Sequence, residues 1–330
     1  MSDVQPIRRD EVITVLPRDA IEAIIKPQEV SVDEADAEMA PDEMVVAVTI
    51  GRDSRAYPIR VLAAHQVVND TIGGRPVVVT WCPLCFTSIV YARLAKGREH
   101  TFGVSGKLAR NALVVYDHQT QSLWSQLSGE AVEGPLEGAR LDPVPCDQLN
   151  WATWKRRYPQ GLALSKTRAA RGAYSADPYA GHYVLPTGGL FGAASVDPRL
   201  EAKQFVLGLA LAGSARAYPY SVLQRLVVVN DVLAGTPVVI VFSGAHQSAL
   251  AYERYTATSI ELTFVAAPEA GPDEVILVDE QSGSRWDGHR GEAISGPWRG
   301  WSLNRLPSTS ALWSDWREQY PDTGVYSQGR

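Results

Sequence analysis

The chain is written twice, and nothing else in it restricts the fold as much. Residues 54–93, "SRAYPIRVLAAHQVVNDTIGGRPVVVTWCPLCFTSIVYAR", align without a gap on 215–254, "ARAYPYSVLQRLVVVNDVLAGTPVVIVFSGAHQSALAYER". Arg55, Tyr57, Pro58, Leu62, Asn69, Asp70, Gly74, Pro76, Tyr91 and Arg93 recur as Arg216, Tyr218, Pro219, Leu223, Asn230, Asp231, Gly235, Pro237, Tyr252 and Arg254. Farther on, "YDHQTQSLWSQLSGEAVEGPLEG" (116–138) echoes "VDEQSGSRWDGHRGEAISGPWRG" (278–300), and "WATWKRRYP" (151–159) echoes "WSDWREQYP" (313–321). A period of this length makes each copy a folding unit. The chain divides into an N-terminal extension (1–40), a first repeat (41–166), a Gly-, Ala- and Pro-rich connector (167–202) and a second repeat (203–330).

Within a copy, "MVVAVTI", "PVVVTW" and "TSIVYAR" are short, β-branched runs bounded by Gly, Pro and Asp, which predicts strands. Pro58 is placed to start a short helix over "YPIRVLAAH". "WATW" and "WSDW" set two tryptophans at i and i+3, on one face of a short terminal helix. Strands do not alternate with long helices, which argues against a doubly wound sheet. The expected fold is mainly β with a few short helices (α+β), a tandem duplication of a mostly antiparallel sandwich- or barrel-like domain. Asn69-Asp70 and Asn230-Asp231 precede Gly-containing stretches and read as turn residues. "FGVSGKLARN" (102–111) reads as a Gly-containing loop whose Lys107 and Arg110 could face an anion, without P-loop or dinucleotide spacing.

The formal net charge is −6 with no basic block, which sets nucleic acid aside as a partner. No stretch reaches the roughly 18 apolar residues of a membrane span. The opening "MSDVQPIRRDEVITVLPRDAIEAI" lacks the apolar run of a signal peptide, so the expected compartment is the cytoplasm. The expected partner is a small-molecule substrate or ligand that the sequence does not name. Three cysteines make no disulfide framework, yet Cys82 and Cys85 share one C-x-x-C and need a joint explanation.

Duplication supplies an internal comparison. Positions kept in both copies read as structural; positions that differ are where one copy gained or lost chemistry. Cys82 faces Ser243, Cys85 faces His246, His65 faces Leu226, and His118 faces Glu280. The asymmetry points to one specialised site in the first copy, and three chemistries fit it. A C-x-x-C turn with one histidine can hold copper, iron or zinc; the expected ligands are Cys82, Cys85 and His65, with His118 and His100 as further candidates. An open coordination position with His118 as acid or base would make the protein a metal-dependent oxidoreductase. Alternatively the pair is a thiol–disulfide couple. "VVVTWCPLC" resembles a thioredoxin-type opening, but there a helix begins at the first cysteine, whereas "FTSIVYAR" alternates like a strand. In the third reading both cysteines are buried small hydrophobes of a noncatalytic binding or scaffold protein, which recognises a ligand through its tryptophans and the cleft between copies. Cys146, opposite Ser308, reads as incidental, and Ser105 lacks the His-Asp spacing of a nucleophile.

The run from "DEADAEMAPDEMVVAVTIG" through "CPLCFTSIVYAR", then "FGVSGKLARNALVVYDHQTQSLWSQLSGEAVEG" and "DPYAGHY" (177–183), resembles the bacterial and archaeal family of unknown function called DUF3179. The resemblance covers most of the chain and brings no settled activity. It implies weight on His65, Cys82 and Cys85, which fall on the family's "HEIVND"-like segment and CPLCG block. Phe86 stands where the family usually has Gly, and Val115-Tyr116-Asp117-His118 where it often has Met-Tyr-Asp-Arg. Many relatives look exported, whereas the expectation here is no leader.

Overall fold

A computed structural model of the chain describes residues 7–169, 174, 178–183, 197–245, 248–256, 258–268 and 274–327. The protein is mostly β; among the described residues three sheets of four or five strands make up each repeat, and the first repeat adds the two-stranded ribbon Leu94–Ala95 with Arg98–Glu99. In the first repeat a middle sheet joins Val67–Ile72, Arg75–Cys82, Thr87–Ala92 and Pro143–Val144. One face meets the sheet of Phe102–Ala109, Ala112–Asp117, Leu123–Ser125 and Ala131–Glu133, edged by Val12–Thr14. The other face meets Met44–Ile50 and Asp53–Pro58, whose sheet also takes in Cys146–Asn150, Leu162–Leu164 and Glu29–Ser31. The second repeat keeps this plan, down to a parallel strand pairing: Asp53–Pro58 with Leu162–Leu164, and Ser214–Pro219 with Gly324–Val325.

This layering explains why "PVVVTWC" does not alternate. Its sheet is covered on both faces, so neither parity of side chain reaches water. Val78 and Cys82 enter a core with Phe102, Leu113 and Trp124; Val77, Val79 and Trp81 enter another with Val46, Tyr57 and Leu62. The duplicate obeys the same parity, Val239 and Val241 against Val238, Ile240 and Phe242.

Pro58 caps the helix Ile59–His65 and Pro219 its twin Tyr220–Leu226, as the sequence predicts. The tryptophan helices are Trp151–Arg157 and Trp313–Gln319, and all four indoles are buried.

Two readings are corrected. Asn69 and Asp70 are not turn residues; they lie inside the strand Val67–Ile72, and the turn falls on Gly73 and Gly74. The Asn69 amide donates to the Phe102 carbonyl at 2.8 Å and accepts from the Phe102 N–H at 2.7 Å, joining two sheets where no strand ladder can. Asn230 does the same to Phe264 at 2.8 and 2.9 Å. Asp70 accepts from Tyr57 and Asp231 from Tyr218, at 2.5 and 2.8 Å. The second correction concerns 102–111, which is the strand Phe102–Ala109 with a bulge at Ser105-Gly106 rather than a loop. Gly106 sits at φ +72, where a Cβ would lie 2.2 Å from the Leu16 carbonyl oxygen. That glycine therefore serves close packing of the N-terminal segment.

The N-terminal stretch is woven into the first repeat. Beyond its two strands, Ile24 N–H donates to Val67 O and Ile24 O accepts from Asn69 N–H. Much of the connector lies outside the described residues; its described part includes the short helix Ala180–Tyr183.

Candidate dithiol site

Cys82 ends one strand and Thr87 opens the next, so Pro83, Leu84, Cys85 and Phe86 form a tight hairpin connection. The sequence expectation of a strand after the second cysteine holds, and no helix begins at the pair. Phe86 closes the turn at φ +53, a conformation that glycine adopts freely and a bulky L-residue does not. Its ring packs edge-on against Trp81, Tyr183 and Phe205, with centroids 5.0, 5.1 and 5.3 Å away.

The turn brings the sulfurs together. Cys85 Sγ–H donates to Cys82 Sγ at 2.9 Å, and both are free thiols that expose 1% or less of their surface. Burial by itself would push the Cys82 thiol up. The Cys85 S–H and the backbone N–H groups of Cys85, Leu113 and Leu84 more than offset that, and hold Cys82 below the ordinary thiol range. Cys85 is held well above it, first because its proton bonds Cys82, then by burial and by the charges of Cys82 and Asp315. The two thiols are thus driven apart, Cys82 toward easier ionisation and Cys85 away from it.

Around the turn stand groups from three parts of the chain. His182 Nε2 donates to Leu84 O at 3.0 Å, which lays the helix Ala180–Tyr183 over the turn. From the second repeat, Leu312 N–H donates to Cys85 O at 3.2 Å and Ser310 O accepts from the Thr87 hydroxyl at 3.2 Å. Asn111, whose carbonyl oxygen lies 3.8 Å from Cys85 Sγ, donates through Nδ2 to Glu318 at 2.8 Å. The site is therefore roofed by the other copy, which comparing the copies position by position did not foretell.

The predicted histidines lie elsewhere. His65 ends a helix whose Val61, Leu62 and Ala63 fill the core on the sheet's opposite face. Its Nδ1 meets the Glu22 carbonyl at 2.6 Å and can only donate there, and Nε2 is hydrogen-bonded to the Tyr174 hydroxyl at 2.9 Å. His118 is exposed and lies past the far end of the strand Ala112–Asp117, whose Leu113 faces Cys82; five residues of strand put about 17 Å between them. His118 stacks on Tyr116, with centroids 5.2 Å apart. His100 is buried against Asp117 (Nδ1 to Oδ1, 3.2 Å) and the Ala95 carbonyl (3.3 Å). Asp117 also accepts from Trp124 Nε1 at 3.0 Å, as Asp279 does from Trp286 at 2.9 Å, which marks a structural motif kept in both copies. His246, the twin of Cys85, lies outside the described residues. Among the described residues no group of three or more His, Cys, Asp or Glu is placed to hold a metal ion. Cys146 lines a separate cleft of about 360 Å³ between the repeats, with Ser88, Tyr91, Thr309, Trp316 and Tyr320; the cysteine pair is not part of its lining.

The sequence reading missed Asp315. It lies in the first turn of Trp313–Gln319, is fully buried, and has Oδ1 without a hydrogen-bond partner among the described residues while Oδ2 accepts from the Ser314 hydroxyl at 3.1 Å. Burial first, and then the charge of Cys82, push its carboxyl well above the ordinary range. Its twin in "WATW" is Thr153, so the same internal comparison that singled out the cysteines carried the signal.

Fold and site together define a duplicated β protein with a buried dithiol hairpin at the junction of its copies. A family model described as a protein of unknown function, DUF3179, matches residues 18–210 and again 187–330, and the chain belongs to that family. No curated protein and no solved structure matches it. Among the described residues no helix is long and apolar enough to cross a membrane.

Proposed function

We propose that Cys82 and Cys85 form a reversible thiol–disulfide couple, with Cys82 as the attacking thiolate and Cys85 as the resolving thiol. The observation that carries this is the 2.9 Å contact between the Cys85 and Cys82 sulfurs across the hairpin turn. Closing to a bond of about 2.05 Å needs a movement of less than about 1 Å. Two thiolates on one tetrahedral zinc would instead stand about 3.8 Å apart, from Zn–S distances of about 2.3 Å. The sulfurs stand closer than that, and His65, the expected third ligand, already has both ring nitrogens bonded elsewhere.

The test treats reduced full-length protein with hydrogen peroxide, then with dithiothreitol, and counts alkylatable thiols by peptide mass. The expected result is loss and recovery of Cys82 and Cys85 together, with Cys146 unchanged, and no intramolecular disulfide in Cys82→Ser or Cys85→Ser. Persistence of both thiols, or irreversible oxidation without a Cys82–Cys85 bond, would sink the proposal. Zinc(II) or copper(I) offered to the reduced protein gives the competing outcome: stoichiometric uptake lost in Cys82→Ser and His65→Ala would favour a metal site.

A further inference from the structure

We infer that Asp315, contributed by the second repeat, is the proton carrier that lets Cys85 close the disulfide onto Cys82. The inference rests on the redox reading above and extends it. Three observations carry it. The second repeat is tied to the turn itself, since Leu312 N–H donates to Cys85 O three residues before Asp315 and Glu318 accepts from Asn111 three residues after it. Asp315 is fully buried with one carboxylate oxygen unpartnered among the described residues, although a buried carboxylate is expected to find partners for both. Finally, the first copy carries Thr153 at this place between the two tryptophans, so the fold does not need an acid there.

The chemistry needs such a group. Cys85 must lose a proton before it can attack, and once Cys82 is a sulfenic acid its burial still opposes that loss. Asp315 is charge-coupled to both sulfurs, and burial raises its affinity for the proton Cys85 gives up. Among the described residues, the other charged groups facing it are Lys203, whose ammonium donates to the His182 carbonyl, and Glu318 on its own helix. With the sulfurs almost fully buried, the fitting oxidant is a small hydroperoxide, ROOH. The Cys82 thiolate attacks the outer oxygen, the O–O bond breaks, ROH leaves with a proton from solvent, and Cys82–S–OH forms. Asp315 then takes the Cys85 proton, Cys85 sulfur attacks Cys82 sulfur, the S–O bond breaks, and the hydroxide leaves as water with the proton from Asp315. Two thiols and ROOH become one disulfide, ROH and H2O.

The test measures two rates against pH in the full chain after adding hydrogen peroxide: sulfenic acid formation, by a trapping reagent, and disulfide closure, by quenched alkylation. Asp315→Asn should slow closure at pH 7 at least tenfold and make it climb with pH as hydroxide takes over. Sulfenic acid formation should change less than threefold. Asp315→Glu should restore part of the closure rate. Asp315→Thr, which copies the residue of the other repeat, should behave like the Asn variant and guards against an effect of misfolding. Closure by Asp315→Asn and Asp315→Thr at the wild-type rate and pH profile would overturn the inference and leave the redox couple standing. A wild type that never forms the disulfide would overturn both.

Discussion

Phe86 shows how one side chain can hold a strained turn shut. The left-handed region costs a bulky L-residue about 1–2 kcal/mol, and the residue at φ +53 is one that glycine would occupy without strain. The aromatic contacts with Trp81, Tyr183 and Phe205 offset that cost. Removing a packed Phe typically costs about 3–5 kcal/mol, so Phe86→Gly should lose about 2 kcal/mol net in urea unfolding and speed alkylation of Cys82 severalfold. A variant as stable as the wild type would show that the ring contributes nothing beyond its strain. Asp315 gives a pH prediction. Its folded pKa lies above the ordinary 3.8, so between the two values the native state holds a proton that the unfolded chain has released. The stability this lends is complete below about pH 4 and is lost as pH rises through the folded value. Asp315→Asn should therefore melt higher than the wild type at pH 8, with the gap closing toward pH 4; thermal scans at both pH values check it. At this scale the sequence was legible where chemistry is local. The cysteine pair, the departure at Phe86 and the strand after the turn are neighbours along the chain. His65 was misplaced because its position relative to Cys82 depends on which face of the middle sheet its helix covers, and no local pattern encodes that.

At the level of elements, the strands were readable from β-branched runs, and the two sheet-joining asparagines were not. "NDTIGG" and "NDVLAG" carry the residues of a turn, and the turn does follow, but the Asn is drawn into the strand by its reciprocal bonds to a neighbouring sheet. Asn69→Ala removes both bonds and strands the Phe102 N–H and C=O in a buried place. A loss of about 2–4 kcal/mol is expected. Asn230→Ala should cost less, because Asn230 is only partly buried and water can replace the amide. Equal losses from chemical denaturation of the two variants would contradict this. The outer strands of the third sheet, Leu123–Ser125 and Ala131–Glu133, were illegible because they carry too few residues to show a period.

Across the whole molecule, the copies have diverged into complementary halves of one site. The first keeps the thiols and the second supplies the roof and the buried acid. Duplication was plain from the sequence, but the docking of one copy on the other was not, because the contacts join residues more than 150 positions apart, as Thr87 joins Ser310. Part of that docking is the ion pair of Arg305 with Asp147, backed by a 2.9 Å bond from Arg305 to the Cys146 carbonyl. Both side chains retain some exposure, so breaking the pair with Arg305→Leu should cost about 1–3 kcal/mol rather than the full cost of a buried charge. It should also raise the alkylation rate of Cys82, since the sulfurs lie at the same junction; an unchanged rate would show that the junction near Cys146 and the dithiol site open independently. The central claim is that the pair is a redox couple, and equilibrium tests it most directly. The full chain is held in dithiothreitol buffers of graded poise, and free Cys82, Cys85 and Cys146 are counted by alkylation and peptide mass. The account predicts that Cys82 and Cys85 disappear together over one reversible two-electron transition, shifting about 30 mV per tenfold change in the equilibrium ratio, with Cys146 free throughout. Both thiols intact at the most oxidising poise, or either one pairing with Cys146 instead, would contradict it.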